Sequence, residues 1–319
     1  MTRNSRVALS LFGVAALAAV PAFADTYRTN LASEILIFGV LALALDILVG
    51  YAGRPSLCHG AIFGTAAYTV IYWVSTGGSL WLGVILAVAA ATVLAAVFAV
   101  LAVRTTGAYF LLLTLALGMI VWGVCLRWTS VTGGENGMRA TLRPDYLTSP
   151  GAFYYMVLAM FILSAALMWR VVHSPFGLSL RGLRDSESRM RALGYAVPLQ
   201  AFIGFVISGL FAGLAGVLFA MFNGFVSPSS VALSQSVSAL LMVIIGGAGT
   251  LFGGLIGAGL ITVVADRVSV VTDRWSLVLG LLFIATMMVA PDGILGFFRA
   301  RAMTRDGLPD ESAEQRRTR

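Results

Sequence analysis

Two histidines, two cysteines and 14 carboxylates are all that this 319-residue chain offers for acid–base, nucleophilic or metal chemistry. His59 and His173 belong to no HExxH pair, and no GxSxG elbow or group of carboxylates falls within one apolar run, so neither a metal hydrolase nor an acyl-transfer site is spelled out. Cys58 and Cys125 sit in apolar surroundings without a metal or redox spacing and read as small packing residues. Every basic residue is arginine. A phosphate-binding GxxxxGK[ST] loop needs a lysine to reach its phosphates, so this chain carries none. If ATP drives the protein, another subunit binds it. No enzyme activity, metal or cofactor is expected of this chain itself.

The elements that position these groups are lipid-soluble. Apolar residues make up 59% and charged residues 11% of the chain, and the mean hydropathy is +0.93. An average soluble domain carries about 25% charged residues. The apolar content runs in long unbroken stretches rather than alternating, which predicts an all-α, polytopic transmembrane bundle over a barrel. The formal charge of +7 does not call for nucleic acid. The arginines lie in short loops and at the two ends, where positive-inside bias puts them.

The longest polar interruption, His173 to Pro198, holds Arg181, Arg184, Asp185, Glu187, Arg189 and Arg191. Ser186 can cap a helix, Glu187 complements its positive start and Gly194 can take the left-handed conformation that ends it, so a short surface helix from Ser186 to Leu193 is predicted. Leu183, Met190 and Leu193 give it one weakly apolar side. Such a stretch is either a solvated basic loop that fixes topology or a docking helix for a soluble partner.

Along the chain, Arg3 and Arg6, the run Val7 to Val20 and Ala22-Phe23-Ala24 before Asp25 suit a secretory signal peptide. Residues 1–24 are also long enough for a first spanning helix, and a retained helix is the reading adopted. Further spans are expected at Ile35–Tyr51, Cys58–Ser75, Leu80–Val103, Gly107–Leu126, Ala152–Val172, Leu199–Phe222, Leu233–Ala248, Leu251–Ala265 and Trp275–Ala290. That makes about ten crossings, or nine if the first is cleaved, with the 233–265 stretch open to reading as a re-entrant pair. An even count puts both ends, Arg54, Arg104 and the 173–198 loop in the cytoplasm, with the loop Arg127 to Pro150 opposite. The charged tail, 299–319, is expected to be disordered and cytoplasmic.

Asp46 falls inside a span, where an ionised carboxylate costs roughly 2.5–3.5 kcal/mol. It must line a wet substrate or proton path or pair with an arginine such as Arg54 or Arg104. The stretch Tyr51-Ala52-Gly53-Arg54-Pro55-Ser56-Leu57-Cys58-His59-Gly60 breaks the helix between two spans, since proline blocks continuation. Broken backbone at this depth survives only against protein or a water-filled cavity. His59 is either a satisfied packing residue or a substrate contact. Small residues such as Gly209 and Gly213 suit close helix packing.

Leu45-Asp46-Ile47-Leu48-Val49-Gly50-Tyr51-Ala52-Gly53, then Ser56-Leu57-Cys58-His59-Gly60, resembles a signature of the branched-chain amino acid permease family of ATP-binding-cassette importers. So do Thr106-Gly107-Ala108-Tyr109-Phe110, Trp128 to Gly137, Gly246 to Gly253 and Ala290 to Gly296, in consistent order from about Ile35 to Phe298. Ser174-Pro175-Phe176-Gly177, Leu183 to Glu187 and Ala192-Leu193-Gly194 look like its ATPase-coupling loop.

The resemblance implies a permease subunit of the bacterial inner membrane. Its implied partners are a second homologous permease, two cytoplasmic ATPase subunits holding ATP and Mg, and a periplasmic substrate-binding protein, all within a lipid bilayer. It implies coupling through Arg184, Asp185, Ser186, Glu187, Arg191, Leu193 and Gly194, and a substrate path near Asp46, Tyr51, Arg54, Ser56, His59, Tyr109 and Thr114. Three departures bear on the solute. Arg54-Pro55 stands where Gln-Leu is common, Asp46 where asparagine is usual, and Met119 where an acid often follows Gly118. Branched-chain or related amino acids are the expected solute, with urea, amides or an organic anion as alternatives. An ion-coupled secondary transporter using Asp46 is the reading from another class.

Overall fold

The computed structural model describes residues 17–269 and, outside that stretch, positions 15, 277, 280, 281, 284 and 293. Arg3, Arg6, almost all of the expected last span at 275–290 and the tail 299–319 lie outside the described residues. Helices follow the apolar runs. They are α1 (17–23), α2 (Thr26–Asp46), α3 (His59–Ser75), α4 (Leu80–Ala102), α5 (Gly107–Arg127), α6 (Thr129–Thr132), α7 (Pro150–Val172), α8 (Pro175–Asp185), α9 (Glu187–Ala192), α10 (Val197–Asn223), α11 (Leu233–Gly246) and α12 (Gly253–Ser269). The chain is a helical membrane bundle. Among the described residues five helices, α2 with its five-residue extension, α4, α5, α7 and α10, are long and apolar enough to cross a bilayer.

α2 is the central post. Its second half, from Leu36 onward, is almost wholly buried, and α7, α10, α11 and α12 pack around it. α3, α4 and α10 form a second tight group. There the sequence selects the packed face by size rather than polarity, because both faces of α4 are apolar. Gly83, Ala87, Ala91, Ala95 and Ala99 recur every four residues and are buried, while Ile85, Val93, Val97 and Val100 point outward. Four-residue spacing keeps the small side chains on one stripe. α10 answers with Gly209 against Ala95 and Gly213 against Ala91, where a Cβ on Gly213 would come within 2.5 Å of the alanine methyl. Such close approach gains dispersion contact that lipid cannot match.

α11 has 14 residues and rises about 21 Å, short of the roughly 30 Å hydrocarbon layer. A 3-10 turn, Pro228–Val231, leads into it and packs on α3 beside Gly64. α11 and α12 are joined by a tight turn at 247–252 that returns the chain beside α2. The loop between α5 and α7 is tied down at the far end of the bundle. Its strand β1 (Met138–Arg139) pairs antiparallel with β2 (Phe225–Val226). Arg143 donates to the terminal carbonyls of α10 at Met221 (2.9 Å) and Phe222 (2.6 Å), with its guanidinium over the Phe153 ring. A cation suits that negative helix end. The tyrosine hydroxyls of α7, Tyr154 and Tyr155, donate to the carbonyls of Leu17 and Ala18 in α1.

Because the α4–α10 seam has no spare volume, Gly213→Leu is expected to destabilise the chain by about 1–3 kcal/mol or more. Val97→Leu on the outward face of α4 is expected to change nothing. Thermal unfolding of the purified chain in detergent checks both, and equal behaviour of the two variants would contradict the seam.

Candidate functional site

The site is a belt of polar contacts at one end of the bundle, built where α2 stops. Five residues, Ile47–Tyr51, continue it as a π-helical turn, a distortion found mostly at functional positions. Irregular backbone from Ala52 to Cys58 follows, and α3 starts at His59. Pro55 forbids a continuous helix. Gly53 turns the chain with φ +67° beside the side chain of Arg184, and a Cβ at Gly50 would run into the Asp46 carboxylate and the Gly249 backbone.

Ser174 caps α8 by accepting from the Gly177 amide, and Ser186 caps α9 by accepting from the Arg189 amide at 3.3 Å. Gly194 follows α9 with φ +86°. Helix α9 and its two ends therefore agree with the sequence reading. The apolar side of α9 does not. Leu183 and Met190 are buried, but Leu193 is 68% exposed. The expected spacing assumed one helical register from 183 to 193, whereas Ser186 is extended (φ −167°) and restarts it. α8 itself, an amphipathic helix before the break, was not foreseen.

Three side chains stitch this α8–α9 hairpin to the break after α2. Arg54, 3% exposed, places Nη2 2.6 Å from Glu187 Oε1 and donates through Nη1 to the carbonyls of Val103 (3.3 Å) and Thr105 (3.4 Å) at the end of α4. Arg184 donates to the Gly50 carbonyl, and Arg181 donates to the Val172 carbonyl at 2.9 Å with its guanidinium near the Tyr51 ring. Glu187 also receives Arg191 at 3.3 Å, one turn on. Removing the half-buried Glu187 would leave the buried Arg54 charge without its counter-ion, and a buried charge stripped of its partner is costly.

The expected pairing of Asp46 with Arg54 or Arg104 is corrected. Arg54 is committed to Glu187 and Arg104 is exposed. Asp46, 1% exposed, instead accepts from the amides of Gly249 (2.7 Å) and Leu251 (3.0 Å) in the 247–252 turn. Gly247, Gly249 and Leu251 all have positive φ there, a backbone form that turns successive N–H groups toward an anion. The nearest arginine is Arg184, whose Nη1 borders Gly249.

His59 is fully buried between two hydroxyls, with Nε2 2.8 Å from Ser208 Oγ and Nδ1 3.0 Å from Ser56 Oγ. Ser208 spends its proton on the Ala44 carbonyl. It must then accept from Nε2–H, which leaves Nδ1 to accept from Ser56. Thr114 accepts from the Leu57 amide (3.1 Å) and ties α5 to the break, and Ser236 does the same for Gly60 at 2.9 Å. Tyr109 is 77% exposed on the outer side of α5. Of the seven path residues named from sequence, Ser56 and His59 touch each other, Tyr51 and Arg54 join the α8–α9 stitching, Asp46 holds the 247–252 turn, Thr114 holds the break, and Tyr109 stands apart. Ser208, Ser236 and the 249–251 amides went unseen, since nothing in their local sequence marks a partner so far along the chain. No group of His, Cys, Asp or Glu that could hold a metal exists among the described residues.

The family model described as "Branched-chain amino acid transport system / permease component" matches residues 27–287. The chain belongs to this permease family. It is 30% identical to the high-affinity branched-chain amino acid transport system permease protein LivM of Salmonella typhimurium, over 95% of this chain and 79% of the relative. It is 29% identical to LivM of Escherichia coli over the same shares. The autoinducer 2 import system permease protein LsrC of Enterobacter sp. is 29% identical over 80% of this chain and 75% of its own length. No solved structure matches. The chain is thus a membrane permease component of a transport family.

Asp46→Ala is expected to leave the buried Leu251 amide and the part-buried Gly249 amide of the permease without an acceptor, at roughly 1–3 kcal/mol for the buried one. Hydrogen exchange at 247–252 and thermal unfolding in detergent would both register the loss. Unchanged exchange would show that the turn does not depend on the carboxylate.

Proposed function

We propose that the chain is the membrane-spanning subunit of an ATP-binding-cassette importer that carries branched-chain or related amino acids inward across the bacterial inner membrane. The observation that carries the reading is the α8–α9 hairpin. Its inner side is bonded to the break after α2, while Leu178, Arg189, Arg191, Leu193 and Tyr195 are left facing out. An apolar and basic outer face joined by ion pair and hydrogen bond to broken backbone is a shape that a motor subunit can grip. Force on α9 reaches Arg54 through Glu187, and force on α8 reaches Gly50 through Arg184. Both act on the segment where α2 yields most easily.

ATP and Mg belong in this reading to two separate ATPase chains, because the permease lacks the lysine of a phosphate loop. A second permease subunit and a periplasmic substrate-binding protein complete the assembly. The solute reading rests on the LivM relatives, whose names specify branched-chain amino acids. The LsrC relative is named for autoinducer 2 import, which gives leucine and autoinducer 2 as the two solutes for a transport assay to compare.

Arg189→Glu combined with Leu193→Glu alters exposed positions whose side chains make none of the contacts described above, and such changes usually stay within about 0.5 kcal/mol in stability. The doubly substituted chain is expected to fold and insert normally while solute-stimulated ATP hydrolysis by the assembled complex falls at least tenfold. Full stimulation would defeat the docking role. The ion-coupled alternative is met by reconstituting the chain alone in vesicles under an ion gradient, where no accumulation of leucine is expected.

A further inference from the structure

Most helix starts in this chain have their free amides served in one of two ways. α7, α8 and α9 carry their own serine caps, Ser149, Ser174 and Ser186. The uncapped starts of α2, α4, α5 and α10 follow exposed residues, Asp25, Ser79, Thr106 and Ala196, so water reaches them. α3 fits neither case. Cys58, His59 and Gly60 are buried, and Cys58 makes no side-chain cap. The Cys58 amide is served nearby, by Ser56 Oγ at 3.4 Å. Its neighbours are answered from two other helices. The Leu57 amide donates to Thr114 Oγ1 of α5 at 3.1 Å, and the Gly60 amide to Ser236 Oγ of α11 at 2.9 Å. Both helices press on the backbone here. A Cβ on Gly60 would lie 2.7 Å from Ser236 Oγ, and one on Gly118 of α5 would lie 3.2 Å from the Leu57 carbonyl oxygen.

The two helices that lend these hydroxyls are lightly held. α5 buries five of its 21 residues, α11 is too short to span, and neither belongs to the α4–α10 seam. A cap on a helix's own chain travels with that helix, whereas a cap lent by another helix is lost when the two part. We infer that Thr114 and Ser236 are positioning residues that clamp the start of α3, and that release of this clamp, as α5 or α11 moves off, is a step of transport. Calling the release a step of transport rests on the function proposed above, whereas the clamp itself does not. A two-state equilibrium shifts about fivefold when one state loses a hydrogen bond of ordinary strength.

The test reads the native thiol of Cys58, which is fully buried and lies between the two clamped amides. The full chain in lipid nanodiscs is labelled with N-ethylmaleimide, and the rate at Cys58 is followed by mass spectrometry of its peptide. Cys125, the other cysteine and also buried, is the internal reference. Thr114→Val and Ser236→Ala are expected to speed labelling of Cys58 about fivefold relative to Cys125. Thr114→Ser, which keeps the hydroxyl, should restore the wild-type rate. Ser238→Ala, which removes a half-buried hydroxyl two residues further along α11, should leave it unchanged.

An unchanged Cys58 rate in both Thr114→Val and Ser236→Ala would overturn the inference, and so would equal acceleration at Cys58 and Cys125, the mark of general loosening. In the complex with its ATPases, trapping nucleotide with vanadate is expected to speed Cys58 over Cys125 as well. If the variants behave as stated and nucleotide has no effect, the clamp is upheld while the importer reading falls.

Discussion

Inside a bilayer every amide must find its acceptor within the protein, and among the described residues this chain carries two partly buried interruptions of its helices that lie against each other, at 52–58 and 247–252. Several of the polar side chains at these breaks answer that one demand. Asp46 closes the second interruption, Thr114 and Ser56 serve the first, and Arg184 reaches the carbonyl of Gly50 between them. The two interruptions are therefore not independent. Gly50 and Gly249 touch, so a change in the turn after α11 is felt at once where α2 unwinds.

The remainder of the bundle avoids polarity and relies on shape. On α4 a stripe of alanine meets the glycines of α10, while larger aliphatic side chains of the same hydropathy face outward. Rigid seams of this kind concentrate compliance elsewhere. The π turn at 47–51 and the irregular backbone that follows are the places left to move, and they are the places to which α8 and α9 are bonded.

Much of this was legible in the sequence because hydropathy and capping are local properties. Apolar runs located most of the described membrane helices to within a few residues, although α2 begins at Thr26 rather than Ile35 because Thr29, Ser33 and Glu34 lower the hydropathy of its first turns, and Ser186 and Gly194 located the ends of α9. Partners were not legible. Asp46 meets Gly249 and Leu251 across more than 200 residues, and no pattern near Asp46 distinguishes a backbone acceptor from the partner of an arginine. Nor does hydropathy separate the packed face of α4 from its outer one, since side-chain size alone tells them apart. Leu193 was misjudged for a third reason. Helical spacing carries over only while the helix is continuous, and the extended Ser186 ends that continuity.

Arg54 is held unevenly. On one side it meets a single carboxylate on a short surface helix, and on the other it meets two carbonyls at the negative end of α4. Whatever displaces Glu187 leaves the guanidinium parked on α4 rather than adrift in hydrocarbon, with its charge still partly answered by the helix end. The contact is thus a clasp of unequal halves: one short bond to a surface helix, and two longer ones to α4 that do not depend on it.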